Sequence, residues 1–359
     1  MTIHLSIMLW LPLAAGVVAL VLPAALARWM GVLGALAALG YGIVLAADYE
    51  TGTAGLQHVT DHLWIRSLGI HYKLGVSGLN VVLLLTATVV FAAVALWAAL
   101  RGEPRERAGL YVFLMGLAES GVLGAFMAQD LILFVVFFDL MLVPFYFLTL
   151  VFGGPDRTAA VLKLFIYTLV GSLLMLVGAI ATGVLSAKGA TPDFALSALR
   201  ENLVSSGSQK WIFLTFAAAF LVKMPSFPFH GWMPDGYRQM PIAPLAAFTA
   251  ILSKVALYGF LAIALPLFPQ GASTFQELLL IVALCSVLYG SAMAFTTTNT
   301  RLILGYSSVA QLGFMVLGVF ALDARAADGA LLQAANHALV SVPMTLLVAL
   351  LAARAGGSE

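Results

Sequence analysis

The residues best suited to chemistry in this chain are ionisable side chains placed within long apolar runs. Lys254 lies in AFTAILSKVALYGFLAIAL, with two turns of largely apolar sequence on both sides. A charged side chain at the centre of a bilayer costs about 2.5–3.5 kcal/mol on insertion scales, so such residues are rare and usually functional. A lysine kept from water can release its proton near neutral pH. Lys254 is therefore predicted to carry protons, with a structural ion pair as the alternative.

Two acids lie in neighbouring apolar runs. Asp139 follows eight apolar residues in LILFVVFFDLMLVPFYFL. An isolated carboxylate there is either protonated or paired, and a lysine from another helix is its natural partner. The alternative for Asp139 is a neutral acid bonded to a backbone carbonyl. Glu119, in FLMGLAESGVLGAF, is a second intramembrane acid, whereas Asp130 is predicted to cap the start of a helix.

The segment 223–236, KMPSFPFHGWMPDG, predicts a helix broken at membrane depth. Lys223 ends an apolar run and precedes Pro225, before which a helix usually stops. The unpaired carbonyls at a helix end favour a cation, and Pro228 and Pro234 prevent a regular continuation. Irregular backbone survives in a membrane only when it is buried in protein or lines a wet cavity. The break therefore predicts a polar site, with a lysine that reaches the interface as the alternative.

Three further side chains are candidates with open alternatives. Lys163 stands one turn into its span, so it either extends to the interface or has a function. His230 and His337 can take up and release protons near neutral pH, although a histidine on an apolar face is often a hydrogen-bonded core residue. The two histidines do not have metal-ligand spacing. Arg301 begins a span and is predicted to be an interfacial anchor.

The composition places all of these residues in a membrane protein. The chain has 359 residues, of which 62% are apolar and 9% charged, and its mean hydropathy is +1.04. Apolar runs of about 20 residues match membrane helices, not the short alternating strands of a barrel. The single cysteine, Cys285, excludes an intramolecular disulfide, a cysteine-ligated iron–sulfur cluster and a cysteine-rich zinc site. The net charge of +1 gives no sign of a nucleic-acid partner.

The apolar runs predict an all-α polytopic membrane protein with about eleven transmembrane helices, the seventh of them broken by proline. The predicted spans are 3–23, 30–47, 79–100, 108–127, 129–152, 160–186, 211–224, 240–266, 276–297, 301–322 and 329–353.

The loops between the spans predict an orientation. The two long loops, 48–78 and 187–210, fall on one side if the spans alternate. Because cytoplasmic loops are enriched in basic residues, the other side is predicted to be cytoplasmic, with the N-terminus outside. The start MTIHLSIMLW has no basic region and is predicted to be a retained first span. The arginines on the predicted cytoplasmic side are Arg28, Arg101, Arg105, Arg107, Arg157 and Arg238.

Several long motifs resemble a known family. KMPSFPFHGWMPDG, followed by AP at 243–244 and by LSKVALYG, resembles the signature of the antiporter-like membrane subunits of respiratory complex I. QDLILFVVFFDLMLVPFYFL resembles the fifth helix of its chain M, which is subunit 4 in mitochondria. LKLFIYTLVGSLLML, NTRLILGYSSVAQLGFMVLG and GALLQAANHAL extend the resemblance from about residue 70 to the end.

The resemblance implies an inverted-repeat antiporter-like bundle. Residues 1–107 would hold three N-terminal helices and an outer loop, 108–266 the first five-helix repeat, and 267–359 an incomplete second repeat, as expected of a chain that is truncated at its C-terminus. A faint similarity between LKLFIYTLV (162–170) and LQAANHALV (332–340) is consistent with such repeats.

The resemblance also implies a function, namely proton translocation in the membrane arm of an NADH:quinone oxidoreductase. Asp139 corresponds to the glutamate of the fifth helix in that family, Lys223 to the lysine with which it pairs, and Lys254 to the onward carrier. The other residues at positions on or near the family's polar axis are Glu119, Lys163, His230 and His337.

The implied partners are the other membrane-arm subunits and lipids, without nucleic acid. No cofactor or metal is expected in this chain, whereas NADH, flavin, iron–sulfur clusters and quinone are expected in partner subunits. The implied location is a bacterial inner membrane, with an organellar inner membrane as the alternative.

Some residues depart from the family pattern, and they keep other functions open. Asp139 is one methylene shorter than the usual glutamate, and Tyr237 and Gln311 stand where the family has histidines. The alternatives are a subunit of a multi-subunit Na⁺/H⁺ antiporter, a subunit of a membrane-bound hydrogenase, and a truncated remnant that does not pump.

Overall fold

The long apolar stretches form helices because a helix satisfies its own backbone N–H and C=O groups where no water is available. A computed structural model of the chain describes residues 4–53 and 55–355. Within these residues, nine helical segments are long and apolar enough to cross a membrane. The predicted bundle of membrane helices is therefore confirmed.

The first half of the described chain contains helices and one β-hairpin. They are α1 (Leu5–Ala19), α2 (Ala24–Asp48), β1 (Gln57–Ile65), β2 (Ile70–Val76), α3 (Gly78–Arg101), α4 (Ala108–Met127), α5 (Leu131–Leu140), α6 (Val143–Phe152) and α7 (Arg157–Ser186).

The second half contains helices of very different length. They are α8 (Leu196–Glu201), α9 (Ser206–Lys223), α10 (Met233–Gln239), α11 (Ile242–Ala247), α12 (Ser253–Gly259), α13 (Leu265–Leu267), α14 (Pro269–Thr274), α15 (Gln276–Thr296), α16 (Thr300–Phe320) and α17 (Ala324–Ala355).

Each of the eleven predicted spans overlaps a helix or a run of consecutive helices, although the boundaries differ. Helices α2, α7 and α17 begin three to six residues before the predicted positions of 30, 160 and 329. Helix α1 has only 15 residues, and α9 has 18 residues and ends at the break. The apolar runs predict the helices, but polar and basic residues in the first turns fall outside those runs, so the predicted starts come too late.

The span predicted over 129–152 is interrupted between α5 and α6, at Met141 and Leu142. Pro144 causes this interruption, because it has no N–H and its ring collides with the carbonyl four residues earlier. That carbonyl belongs to Leu140, the last residue of α5.

The span predicted over 240–266 is also irregular. Two π-helical turns, Phe248–Leu252 and Phe260–Ala264, connect α11, α12 and α13 into one membrane segment. Such turns are rare, and they are frequent at functional sites. The first of them lies directly before Lys254.

The two long loops lie on the same face, as predicted. Strands β1 and β2 pair antiparallel in the first loop, a hairpin that the apolar pattern did not predict. The backbone N–H of Phe194, in the second loop, donates to the carbonyl of Gly69 at the hairpin tip (3.1 Å). The N–H of Leu131 donates in turn to the carbonyl of Phe194 (2.8 Å). We call this face of the bundle the hairpin face.

Asp130 caps α5, as predicted, and also holds the hairpin. Its Oδ1 accepts hydrogen bonds from the backbone N–H groups of Ile132 (2.9 Å) and Leu133 (3.0 Å). Its Oδ2 accepts from the N–H of His71 on β2 (2.9 Å). One carboxylate thus connects the start of a membrane helix to the sheet.

A small charge cluster covers the hairpin. Asp61 on β1 lies 2.7 Å from the His71 imidazole and 3.1 Å from the Lys73 ammonium. Partial burial alone would raise the pKa of Asp61, but hydrogen bonds from His71 and Lys73 and their charge hold it below its ordinary value. Asp61 is therefore ionised at neutral pH.

The opposite face, which we call the arginine face, is closed by arginine side chains that donate to backbone carbonyls. Arg28 donates to Pro104 (2.9 Å), and Arg301 donates to Met240 (2.8 Å). These bonds tie the short turns between helices together. The structure thus separates the two faces as the loop pattern predicted, while the cytoplasmic assignment of the arginine face stays a prediction.

Replacing Gly69 with alanine should loosen the contact between the two hairpin-face loops. Gly69 has a left-handed backbone (φ 63°), and a Cβ there would lie 1.8 Å from the carbonyl oxygen of Pro192. Gly102 has a similar φ of 66° but nothing within 4 Å of a Cβ, so Gly102→Ala carries only the backbone cost of about 1 kcal/mol. Gly69→Ala should lower the Tm of the purified protein clearly more than Gly102→Ala. Equal shifts would show that the loop contact contributes nothing.

Candidate functional site

The broken helix begins where the prolines predicted. Helix α9 ends at Lys223, and the N–H of Met224 makes the last regular bond, to the carbonyl of Phe220 (2.8 Å). Regular helix resumes only at Met233, the start of α10. The segment between them, 224–232, is irregular, and much of it is buried.

Side chains satisfy the backbone groups that the break leaves unpaired. The indole Nε1 of Trp232 donates to the carbonyl of Val222 (3.0 Å), in the last turn of α9. The N–H of Phe227 donates to the Ser286 hydroxyl on α15 (2.9 Å). Unpaired backbone groups are costly where water is excluded, so these bonds allow the irregular segment to lie inside the protein.

The ammonium of Lys223 is held by the last turn of α5. Its side chain is 3% exposed, and its Nζ donates to the carbonyl of Phe138 (2.5 Å). The Nζ also lies 3.7 Å from the centroid of the Phe138 ring. This carbonyl is available because the N–H of Leu142 bonds to the carbonyl of Asp139 instead (3.1 Å). The interruption that Pro144 imposes thus creates an acceptor for the lysine.

Asp139 lies beside Lys223, as the sequence predicted, but it is not enclosed by this chain. Its Oδ1 is 3.9 Å from the Lys223 Nζ, and its side chain is 41% exposed. The hydroxyl of Ser172, on α7, donates to the same Oδ1. Because the neighbouring surface of α5 is apolar, the exposed carboxylate faces the membrane or another subunit. The pairing was predictable from residue types, whereas the exposure depends on which face of α5 the neighbouring helices cover.

Lys254 forms a second buried site with His337. Its side chain is fully buried, and its Nζ is 2.7 Å from the imidazole Nδ1 of His337 on α17. It also donates to the carbonyl of Thr249 (3.2 Å) and to the hydroxyl of Ser253 (3.3 Å). Lys254 therefore pairs with a base, and among the described residues no acid lies within ion-pair distance of it.

A polar cavity of about 310 Å³ adjoins this pair. Most side chains that line it carry hydroxyl, amide or imidazole groups, and a cavity of this size and polarity can hold several water molecules. Gln333 donates to the side-chain oxygen of Gln311 on its wall (2.8 Å). The polar residues around it are Thr249, Ser307, Ser308, Gln311, Gln333, Asn336, His337, Ser341 and Thr345.

A chain of hydroxyl groups, which the sequence reading missed, reaches the same cavity. The Tyr237 hydroxyl on α10 donates to the Thr249 hydroxyl (2.8 Å). The Thr249 hydroxyl lies 3.4 Å from that of Ser308 on α16. In the sequence, Tyr237 stands out only as a departure from the family's histidine. Single hydroxyl residues give no signal in an apolar sequence, so only the packing of α10, α16 and the first π-helical turn reveals this chain.

The remaining predicted residues lie apart from the two lysine sites. Lys163 forms an ion pair with Asp235 (2.8 Å), and both side chains are about two-fifths exposed. His230 is buried against the Tyr289 ring, with 4.7 Å between centroids. Glu119 is buried on α4, and its Oε1 has no hydrogen-bond partner among the described residues.

Metal ligation finds no support in the described part of the chain, where no three His, Cys, Asp or Glu residues come together as possible ligands. The polar groups that are present can bind, donate and accept protons. These features define a helical membrane protein that holds basic groups at membrane depth around an interrupted helix.

Comparison with known proteins identifies the family. Residues 128–358 match the family described as NADH:quinone oxidoreductase/Mrp antiporter, transmembrane. NADH-quinone oxidoreductase subunit M of Rhodobacter capsulatus is 34% identical over 361 residues, which cover 96% of this chain and 69% of that protein. The chain therefore belongs to the NADH:quinone oxidoreductase/Mrp antiporter transmembrane family, as its motifs indicated.

Solved structures support this membership. A chain in the structure entitled respiratory complex I from Thermus thermophilus with bound NADH has a TM-score of 0.89 and 31% identity, covering 99% of this chain and 73% of that one. A chain of the Mrp complex from Dietzia sp. DQ12-45-1b has a TM-score of 0.80 and 23% identity, covering 98% of this chain and 38% of that one. The second likeness concerns the fold alone.

The bond from Trp232 should be important for keeping the broken helix in place. Trp232→Phe removes the donor to Val222 and leaves a buried carbonyl unpaired, which costs about 1–3 kcal/mol. Trp97 is a matched control, because its Nε1 is buried without a hydrogen-bond partner among the described residues. Trp232→Phe should therefore lower the Tm of the purified protein more than Trp97→Phe does. The reverse order would contradict the role of Trp232.

Proposed function

We propose that the chain is a proton-translocating membrane-arm subunit of an NADH:quinone oxidoreductase. It moves protons through buried basic groups, while electron transfer takes place in other subunits. The observation that carries this proposal is the pair of lysine sites at membrane depth, Lys223 beside Asp139 and Lys254 beside His337. The 34% sequence identity between this chain and subunit M of Rhodobacter capsulatus, which covers 96% of this chain, supports the same function.

The first step is a change in the charge that surrounds Lys223. The ammonium is stabilised by the Phe138 carbonyl and by the Asp139 carboxylate. When Asp139 gains a proton or moves toward another partner, the ammonium loses part of its stabilisation in a dry environment and releases its proton. Because Asp139 is 41% exposed, a neighbouring subunit can reach it. A neighbouring subunit would therefore change the charge or position of Asp139, and Lys223 would release its proton as a result.

The second step is transfer from Lys254 to His337. A protonated Lys254 donates to the imidazole Nδ1, which is 2.7 Å away. The imidazole can pass a proton on from its other nitrogen, toward the polar cavity. Among the described residues, hydrogen bonds form no continuous chain from Lys223 to Lys254, so this transfer requires water that enters between them. His230, Glu119 and Lys163 lie outside these two steps.

Redox chemistry is assigned to partner subunits. NADH, flavin, iron–sulfur clusters and quinone would bind there, and this chain would carry none of them. The proposed location is the inner membrane of a bacterial cell, with the hairpin face outside and the arginine face in the cytoplasm. Other membrane-arm subunits and lipids would cover the apolar surface.

The domain boundaries stay a proposal: 1–107, 108–266 and 267–359, with the last two as inverted repeats. The orientation of two helices supports it. Helix α7 runs from the arginine face to the hairpin face, whereas α17 runs in the opposite direction. These helices contain the two faintly similar stretches, 162–170 and 332–340, and opposite directions are those expected of inverted repeats.

A sodium–proton antiporter subunit is the second candidate, and the likeness to the Mrp complex favours it only at the level of fold. The remnant that does not pump is less favoured, because the shorter Asp139 still lies within ion-pair distance of Lys223. Replacement of the family's histidine by Gln311 also leaves the wall of the cavity polar.

Removing the carboxylate of Asp139 should uncouple proton pumping by this chain from NADH oxidation in the complex. Asp139→Ala should abolish its share of the protons pumped per NADH oxidised, because Lys223 then has no counter-charge that can vary, while assembly is largely kept. Asp139→Glu is the control that keeps the charge, and it should retain pumping. The measurement is the proton-to-electron ratio of the complex in vesicles. An unchanged ratio in Asp139→Ala rules out the proposed first step.

Lys254 should be far more important for pumping than Lys163. Lys254→Ala removes a buried proton carrier, and loss of such a group costs roughly 100-fold or more in rate. Lys163→Ala removes only an exposed ion pair, worth up to about 1 kcal/mol. Initial rates of proton uptake by vesicles should therefore fall strongly for the first variant and little for the second. The opposite ranking refutes the roles given to the two lysines.

A further inference from the structure

Glu119 is a buried acid that the two lysine steps do not use. It is 2% exposed on α4, and its Oε1 has no hydrogen-bond partner among the described residues. An ionised carboxylate without a partner in such surroundings is far costlier than a protonated one. Glu119 is therefore more stable as the neutral acid.

A narrow cavity lies beside Glu119. It lies between α1, α2, α3 and α4, has a volume of about 30 Å³, and has Glu119 on its wall. This volume holds two or three water molecules at most, since a water needs about 10–15 Å³ of such space. Arg28 and Tyr111, at the ends of their helices on the arginine face, also line it. Eight residues separate Tyr111 from Glu119, which is about 12 Å along a helix.

The packing of the four helices keeps the cavity narrow. A Cβ at Gly116 would lie 2.4 Å from the carbonyl oxygen of Pro12, so α1 and α4 touch directly. Phe91 and Val94 of α3 close the other side. The only polar side chains on the wall are those of Arg28, Tyr111 and Glu119, so water inside it would lie beside the Glu119 side chain.

Several titratable groups on the elements packed against α4 have partners of their own, whereas Glu103 lies near Tyr111 at the arginine-face end of the helix. Helix α1 contains no titratable residue, and α3 lines the cavity with apolar side chains. Asp139 of α5 is bonded to Ser172, and Lys254 of α12 is bonded to His337. Tyr146 of α6 is bonded to Thr168. On β2, the side chains of His71 and Lys73 contact Asp61.

We propose that Glu119 is a proton-binding site that exchanges with the arginine face through this cavity, separately from the Lys223 and Lys254 sites. A hydrated proton that enters the cavity from the arginine face passes to the carboxylate, which forms the neutral acid and leaves a neutral water, and the reverse step returns the proton. The role of this site, as a second place where protons enter the chain, rests on the proposed function. The site itself does not require that the chain pumps.

The test is infrared spectroscopy of the assembled membrane complex in vesicles, without substrate. The spectrum of the wild type minus that of Glu119→Gln should contain the carbonyl band of a protonated carboxyl group at neutral pH. The band should shift when H₂O is replaced by D₂O. Absence of the band, as an ionised carboxylate or a bound sodium ion would produce, overturns the proposal.

Filling the cavity tests the route. Ala95 and Ala99 of α3 line it between Glu119 and the arginine face, so Ala95→Leu should leave the band in place. It should slow deuteration of the band at least roughly tenfold, the effect of a barrier higher by ~1.4 kcal/mol. Ala99→Leu is the second variant if the first does not assemble. Ala93→Leu, on the exposed side of α3, should exchange as the wild type does.

Equal deuteration rates in the wild type and the cavity-filled variants would overturn the route. Because exchange is measured without turnover, the outcome is independent of whether Lys254→Ala stops pumping. Failure of the proposed proton transfer through Lys223 and Lys254 and failure of the Glu119 site can therefore be told apart.

Discussion

The fold depends on one constraint, namely that a lysine ammonium buried at membrane depth must find its stabilising groups within the protein. Lys223 finds a carbonyl, an aromatic ring and a carboxylate, all from the last turn of α5. The carbonyl is free only because Pro144 ends α5 at Leu140, and the lysine is in position only because α9 stops before Pro225. Two proline interruptions on different helices therefore create one site.

The sequence predicted those features that depend on residue type. Charged side chains in apolar runs identified Asp139, Lys223 and Lys254, and the prolines predicted where α9 ends. Asp130 was predicted as a cap because an acid before an apolar run has few other roles. Helix existence was equally predictable, since long apolar runs in a membrane allow few other structures.

The rest depends on contacts between distant segments. No local pattern indicates that His337 is the partner of Lys254, because 83 residues separate them. The residue types in the π-helical turns before and after α12 are those of an ordinary membrane helix, so the sequence does not indicate these turns. The exposure of Asp139 was not predicted, because an apolar stretch does not tell which of its faces other helices cover. Motif resemblance placed these residues near one axis, but their contacts follow from packing.

The bonds on the hairpin face have a mechanical consequence for α5. Its first residues are fixed to the hairpin through Asp130 and to the second loop through Leu131, whereas its last turn ends in an interruption. Any tilt of α5 about this anchored end would move its last turn, which contacts Lys223, more than its first turn. Asp139 is nine residues from Asp130, about 13 Å along the axis. A small rotation of α5 about its first residues would therefore displace the Asp139 carboxylate more than the side chains nearer Asp130.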